Sequence, residues 1–263
     1  MIGAIIGDIV GSRFEWHNHR SKEFELFTPK CFATDDSIMT LAIGEALMRS
    51  QSDWCDLDAQ AVRCMQAIGR PYPNCGYGGR FQRWIYSDHP HPYKSYGNGA
   101  AMRVSACGFA AGSLEEAKAL SRAVTKVTHN HPEGIKGAEA TTVAIYMARS
   151  GSSMAEIREV IDRAYYPMNF TLDEIRPTYR FNETCQGTVP QALMAFFEST
   201  GFEDAIRNAI SVGGDSDTLA AITGGVAQAY YGVPDALHTQ AIEYLDTPLL
   251  EVLNRFEIWL ASR

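Results

Sequence analysis

An all-α fold is what this sequence predicts. Apolar residues return at three- and four-residue steps through most of the 263 positions, alternation of apolar and polar residues is scarce, and the breaks between periodic stretches carry Pro, Gly and helix-capping residues. The chain opens on an apolar, helix-like run interrupted by Asp8. Ile38-Met39-Thr40-Leu41-Ala42-Ile43 then starts a second helix over 37–49, and a third covers 56–69. Segment 114–127 is the clearest: Ser113 is a good N-cap with Glu116 three residues on, and Leu114, Ala117, Leu120, Val124 and Val127 share one face. Further helices are expected over 133–149, 153–165, 188–199, 202–210, 216–231 and 247–261. The breaks at 71–76, 87–97 and 166–187 lack the Gly/Ser composition of a flexible linker, and no repeat or low-complexity stretch appears. One multi-layer helical domain spanning 1–263 is therefore expected.

Bulk composition narrows the function classes. Hydrophobic content of 46% and charged content of 21% are ordinary for a globular protein. A net charge of -8 and a pI near 5.4 argue against a general affinity for nucleic acid or an anionic membrane. The N-terminus has no basic region ahead of its apolar residues, so a signal peptide is not expected, and the uncharged run from Leu219 to Val233 is too short to span a bilayer. Cys31, Cys55, Cys64, Cys75, Cys107 and Cys185 are scattered without CxxC pairs, which reads as reduced thiols in a cytoplasmic protein.

Two acidic segments carry the most chemical information. Thr34-Asp35-Asp36-Ser37 and Gly213-Gly214-Asp215-Ser216-Asp217-Thr218 each open an apolar helical run. Either alone is best explained as an N-cap, whose oxygens accept orphan backbone N–H groups. Together they hold more carboxylates than capping needs. Brought into one place, four carboxylates and two threonine hydroxyls form an all-oxygen ligand set suited to Mg²⁺, Mn²⁺ or Ca²⁺. The helix N-termini are expected to keep these acids ionised, and Gly213-Gly214 to let backbone approach a bound group. Asp8, inside an apolar stretch, needs a buried hydrogen-bond partner or a turn role. Ser95-Tyr96-Gly97-Asn98-Gly99 reads as small residues at a helix start, either a seat for phosphate oxygens or a plain loop-to-helix junction. A Rossmann turn is excluded, because the Pro- and His-rich residues before it cannot form a buried strand. Tyr93 and Tyr96 are candidates to stack on a purine. His129, close before the Pro132 that starts a helix, is a better ligand-contact candidate than His17 or His19, and zinc spacing is absent. Gly76-Tyr77-Gly78-Gly79 is a Gly-rich turn that either lines a pocket or caps a helix. The aromatics Tyr165, Tyr166, Phe170, Tyr179 and Phe181 suggest an exposed lid or contact surface.

Taken in order, Gly7-Asp8-x-x-Gly11-x-x-x-Glu15, Thr34-Asp35-Asp36-Ser37, Tyr96-Gly97-Asn98-Gly99-Ala100-Ala101-Met102-Arg103, Thr128-His129-x-His131-Pro132 and Gly213-Gly214-Asp215-Ser216-Asp217-Thr218 resemble the ADP-ribosylglycohydrolase family. The resemblance runs from residue 3 to about residue 232. It implies a single all-α domain with two Mg²⁺ or Mn²⁺ ions held by Thr34, Asp35, Asp36, Asp215, Asp217 and Thr218. It places Glu15 beside the metals, has Ser95, Tyr96, Gly97, Asn98, Gly99 and His129 hold the diphosphate and distal ribose, and borders the cleft with Gly76, Tyr77 and Gly78. Ser37 stands where many relatives have Thr, which keeps the hydroxyl.

The implied activity is metal-dependent hydrolysis of the bond between C1″ of ADP-ribose and an acceptor. The ions would grip ribose hydroxyls and activate water. Glu15 is the expected group to tune attack, with Asp35 and Asp36 as further candidates to move the proton. The partner is an ADP-ribosylated protein or a small conjugate such as O-acetyl-ADP-ribose, with nucleic acid only as a carrier of that modification. The Tyr96-Gly97-Asn98-Gly99 form leans toward serine-linked, polymeric or O-acetyl substrates. Two alternatives stand beside it: a non-catalytic ADP-ribose or nucleotide binder, and a hydrolase of another N-glycoside, phosphoester or nucleotide.

Overall fold

The computed structural model describes all 263 residues, and apart from an isolated bridge between Gly97 and Thr184 its regular structure is entirely helical. The helices are α1 (Ile2–Gly11), α2 (Asp35–Arg49), α3 (Leu57–Gly69), α4 (Gly79–Ile85), α5 (Ser105–Ala110), α6 (Leu114–Lys126) and α7 (Pro132–Arg149). They continue with α8 (Met154–Ala164), α9 (Leu172–Ile175), α10 (Cys185–Phe197), α11 (Phe202–Ser211), α12 (Ser216–Tyr231), α13 (Asp235–Ile242) and α14 (Thr247–Ala261). One cluster of 70 buried apolar residues runs through the molecule. No helix is long and apolar enough to cross a membrane.

The predicted helices form close to their expected limits, and the differences have local causes. Helix α10 starts at Cys185 rather than 188, because the Thr184 hydroxyl accepts the Gly187 N–H (3.1 Å). Pro190 consequently lies inside the helix, where its missing N–H leaves one helical bond unmade. Ser113 caps α6 as expected, but Glu116 does not close a capping box: it accepts the Gly112 N–H (2.6 Å) and the Trp54 indole N–H (2.5 Å) instead. Full capping boxes form at Ser153/Glu156 and Thr171/Glu174.

Helix α12 is the centre of the architecture. It packs against α1, α7, α10 and α11, and every residue from Ser216 to Ala227 is buried. Its contact with α1 is unusually close. Gly3, Gly7 and Gly11 recur at four-residue steps along one face of α1, and a Cβ at Gly7 would lie 1.9 Å from the Ala220 carbonyl oxygen. A Cβ at Gly3 would meet the Gly224 carbonyl oxygen at 2.3 Å, and one at Gly11 the Asp217 Cα at 2.5 Å. Bare backbone along this stripe lets the two helices touch main chain to main chain. That contact brings Asp8 of α1 beside the start of α12.

The aromatics of 165–181 do not form an exposed surface. Tyr166 is buried in the core, and Tyr165, Phe170, Tyr179 and Phe181 are half-buried against it or at the cleft. All six cysteines are free thiols, and only Cys55 is exposed.

Candidate active site

The site is assembled at the N-termini of α2 and α12. Thr34 caps α2 by accepting the Asp36 N–H (3.2 Å), as the sequence predicts. Asp8 then ties this helix start to α1. Its Oδ2 accepts the Thr34 N–H (2.9 Å) and the Ser37 N–H (3.0 Å), its Oδ1 accepts the Thr34 hydroxyl (2.6 Å), and the Ser37 hydroxyl donates to it as well. The partners that a buried Asp8 requires are thus the first turn of α2. The Thr34 hydroxyl is committed to Asp8 and sits behind the cleft wall.

Gly213 and Gly214 carry the chain into α12 with φ of 75° and 77°, left-handed values that favour glycine. They do not serve the close approach to a bound group expected of them. A Cβ at Gly214 would strike the Tyr179 ring at 2.3 Å, and one at Gly213 would crowd Asn18 and Arg20. Asn18 braces this turn. Its side chain accepts the Gly214 N–H (2.8 Å) and donates to the Gly214, Phe14 and Glu15 carbonyls (2.8–2.9 Å). That brace holds the Glu15 segment against Asp215. Across the gap, the Thr218 hydroxyl donates to Asp36 Oδ2 (3.3 Å), so the two acidic motifs, 182 residues apart, touch directly.

Six acids therefore share one region. Ligand oxygens of Asp8, Asp36 and Asp217 lie within 4.8 Å of one another, as do those of Glu15, Asp215 and Asp217. No lysine or arginine forms an ion pair with any of them. Burial pushes the Asp36, Asp217 and Asp35 carboxyls well above the usual range, and the charges of neighbouring aspartates add to it. Glu15 rises to about 7, from burial and then from Asp215; Asp8 rises to about 6, from burial that its four hydrogen bonds only partly offset. With no cation among them, the helix N-termini do not suffice to keep these acids ionised as expected: a helix-dipole effect of about 0.3–1 kcal/mol is smaller than the cost of several buried like charges. Asp36 Oδ1 is buried with no hydrogen-bond partner. An unpaired oxygen among crowded, buried carboxylates and hydroxyls fits a hard divalent cation.

These groups open into a cleft of about 410 Å³. Asp35, Asp36, Asp215, Asp217, Thr218 and Glu15 line one end, with Trp16, Phe181 and Glu183 at its rim. Trp16 stacks on Phe181 with ring centroids 4.9 Å apart. Gly76, Tyr77, Gly78 and Gly79 form a wall, and a Cβ at Gly76 would fall 2.7 Å from Asp35 Oδ1, so the bare position leaves room for that carboxylate. The Tyr77 hydroxyl is turned away, donating to the Gly69 carbonyl (3.1 Å).

Ser95, Gly97, Asn98, Gly99 and His129 line the rest of the cleft with Arg80, Tyr93 and Arg103. The expected helix start at 95–99 is a single 3₁₀ turn, Asn98–Ala100. Its first N–H groups are already used: Gly97 donates to Ser95 Oγ (3.2 Å) and Asn98 to the Glu183 carbonyl (2.7 Å). The Asn98 side chain instead reaches the acidic end, donating to Asp215 Oδ2 (2.6 Å). Tyr96 departs from expectation. It is 45% exposed, packs near His131 (5.2 Å between centroids) and is not a cleft residue. His131 caps α7 by accepting the Glu133 N–H (3.1 Å).

Comparison with known proteins decides the family. A family model described as ADP-ribosylglycohydrolase matches residues 1–262. The chain belongs to the ADP-ribosylglycohydrolase family. Its members hydrolyse ADP-ribose linkages and depend on metal, and the acidic cluster of this ADP-ribosylglycohydrolase family member supplies residues able to bind one. Among curated proteins it is 25% identical to human ADP-ribosylhydrolase ARH3, over 95% of this chain and 90% of that protein. It is 26% identical to the ADP-ribosyl-[dinitrogen reductase] glycohydrolase of Rhodospirillum rubrum, over 77% of this chain and 70% of that protein. A solved structure titled ADP-ribosylglycohydrolase-related protein complex superposes with a TM-score of 0.68 at 22% identity, covering 92% of this chain and 94% of that one, which establishes the shared fold.

Proposed function

We propose that this chain hydrolyses the bond between C1″ of ADP-ribose and an acceptor, using two Mg²⁺ or Mn²⁺ ions at the acidic end of the cleft. The observation that carries the reading is that Asp36, Asp217, Asp215 and Glu15 converge beside Asn98 and His129 in one cavity. Asp35, Asp36, Asp215, Asp217 and Thr218 are the proposed ligands. Thr34, whose hydroxyl is bound to Asp8, orients the start of α2. Bound divalent ions would screen the carboxylates, hold the ribose hydroxyls and lower the pKa of water.

The chain's own residues supply the rest. Asn98 fixes the Asp215 carboxylate through its 2.6 Å bond. Ser95, Gly97, Gly99 and His129 face the phosphate-bearing part of the substrate. As the C1″–acceptor bond breaks, positive charge grows at the anomeric carbon, and the surrounding carboxylates stabilise it. Glu15 is half-buried beside Asp215 at this end of the cleft, a position that suits a group that protonates the leaving acceptor or receives a proton from water. Trp16, Phe181 and Glu183 border this end and would meet the acceptor.

The test is a panel of ADP-ribosylated arginine, serine and nucleic-acid ends together with O-acetyl-ADP-ribose, each with and without EDTA. At least one conjugate should be cleaved, and EDTA should stop the cleavage. Asp36→Ala should stay folded and lose on the order of a thousandfold in rate. Undiminished cleavage in EDTA would remove the metal from the account. Tight ADP-ribose binding with every conjugate left intact would favour the non-catalytic binder.

A further inference from the structure

Arg103 is the largest fully buried side chain of the molecule, and its guanidinium forms no ion pair with any carboxylate. Burial lowers its pKa to about 10, so it remains charged at neutral pH. A buried cation without a counter-ion is costly, and its hydrogen bonds show where it acts. Its Nη2 donates to the Thr128 hydroxyl (2.6 Å) and lies 3.4 Å from His129 Nδ1. The Thr128 hydroxyl is itself 2.7 Å from the same Nδ1. Its other acceptor, the Thr125 carbonyl, is 3.5 Å away, near the limit of a hydrogen bond.

This arrangement fixes the proton on the imidazole. A guanidinium has only donors, so a proton on Nδ1 would confront the Arg103 N–H. The Thr128 hydroxyl already accepts from Arg103 and has one proton to give, and its shorter route is to Nδ1. Nδ1 is thus an acceptor, and the ring proton belongs on Nε2. Nε2 faces the glycine turn: a Cβ at Gly97 or Gly99 would lie 3.6 Å from it. The charged and titratable groups around the ring are Arg103, Arg80 and Tyr93, whose ring centroid is 5.9 Å from that of His129. Burial first, then the two arginines, hold His129 well below its ordinary pKa, so the ring is neutral at physiological pH.

We infer that Arg103 and Thr128 are positioning residues that lock His129 as a neutral Nε2–H donor aimed across Gly97 and Gly99 at a phosphate or ribose oxygen of the substrate. The recipient oxygen rests on the ADP-ribose reading above; the location of the proton does not.

Histidine-ring ¹⁵N–¹H correlation spectra of the metal-free and Mg²⁺-loaded protein test the relay, with ADP-ribose affinity by calorimetry as the second readout. The wild type should show a proton-bearing Nε2 and a bare Nδ1 at His129, unchanged from pH 5.5 to 8. Thr128→Val should give a mixture of tautomers and weaken ADP-ribose binding about tenfold. Thr128→Ser, which restores the hydroxyl, should recover both signals. Arg103→Lys should retain the fold and shift the Nδ1 resonance. A proton on Nδ1 in the wild type, or an unaltered spectrum in Thr128→Val, overturns the relay. A proton-bearing Nε2 in a protein that takes up no ADP-ribose would leave the tautomer assignment standing and overturn the substrate assigned to it.

Discussion

Replacing Asp217 with Asn has an unusual expected sign. Asp217 belongs to both acidic groups, with Asp8 and Asp36 on one side and Glu15 and Asp215 on the other, all with ligand oxygens within 4.8 Å inside each group. Two full charges at that separation repel by about 3.5 kcal/mol at an effective dielectric constant of about 20. Proton uptake by the metal-free cluster relieves part of this, so the net repulsion is smaller than the full Coulomb figure. Asparagine keeps the shape and removes the charge. The metal-free variant should therefore unfold above the metal-free wild type, by about 2–4 °C for each kcal/mol of repulsion removed. The metal response should reverse this ranking. A cation at 100 times its Kd stabilises the wild type by about 2.7 kcal/mol, and Asp217→Asn should gain almost none of it. Differential scanning calorimetry in EDTA and in excess Mg²⁺ or Mn²⁺ reads both effects. A variant less stable than wild type in EDTA, yet still stabilised by metal, would refute the reasoning, because it would make Asp217 an ordinary structural acid.

Three further outcomes follow from the same structure. Glu15 and Asp8 titrate near pH 7 and 6 when folded, against ordinary values of 4.5 and 3.8, so the folded metal-free protein binds more protons than the unfolded chain over this interval. Their contribution is fully present below about pH 4 and is lost as pH rises through 6 to 7, so the urea midpoint in EDTA should fall from pH 5 to pH 8. Saturating metal should flatten that slope, and a midpoint in EDTA that rises with pH would contradict it. Gly7→Val should cost about 1–3 kcal/mol or more, because its Cβ would lie 1.9 Å from the Ala220 carbonyl oxygen and force α1 away from α12. Metal affinity should drop with it, since the displaced helix carries Asp8; a Gly7→Val protein with wild-type stability would show that the helices have room to spare. Glu15→Gln should bind ADP-ribose normally and hydrolyse conjugates at a small fraction of the wild-type rate, with its loss of proton exchange read as a flattened pH–rate profile; an unchanged profile would remove Glu15 from the proton path.

The helical class and most helix limits were legible because three- and four-residue periodicity is a local property. Both acidic motifs were legible as helix starts for the same reason: Thr34 and Asp215 stand at N-caps. What could not be read was the close approach of α1 to α12. It depends on Gly3, Gly7 and Gly11 meeting Ala220 and Gly224, a complementarity of bare backbone that neither segment reveals alone. Asp8 in an apolar stretch calls for a partner, and only the tertiary structure shows that the partner is the first turn of α2. Asn98, expected to hold phosphate, reaches across to Asp215. A helix dipole can be read from sequence, whereas the number of carboxylates buried together, which raises their pKa values in the metal-free protein, cannot. Tyr96 was placed in the cleft by its motif and lies outside it, and Trp16, Phe181 and Glu183 sit on irregular loops whose positions carry no periodic signal. Arg103 and Thr128 lie within the family-like motifs, but that the arginine is buried against His129, 26 residues away, is visible only in the structure.

Anomalous diffraction from Mn²⁺-soaked crystals bears most directly on whether the acids at the starts of α2 and α12 form a metal centre. Anomalous peaks bounded by the carboxylates of Asp36 and Asp217, and absent from Asp217→Asn crystals soaked in the same way, are the predicted result. Crystals that take up Mn²⁺ elsewhere, with Asp36 and Asp217 protonated and hydrogen-bonded to each other, would contradict it.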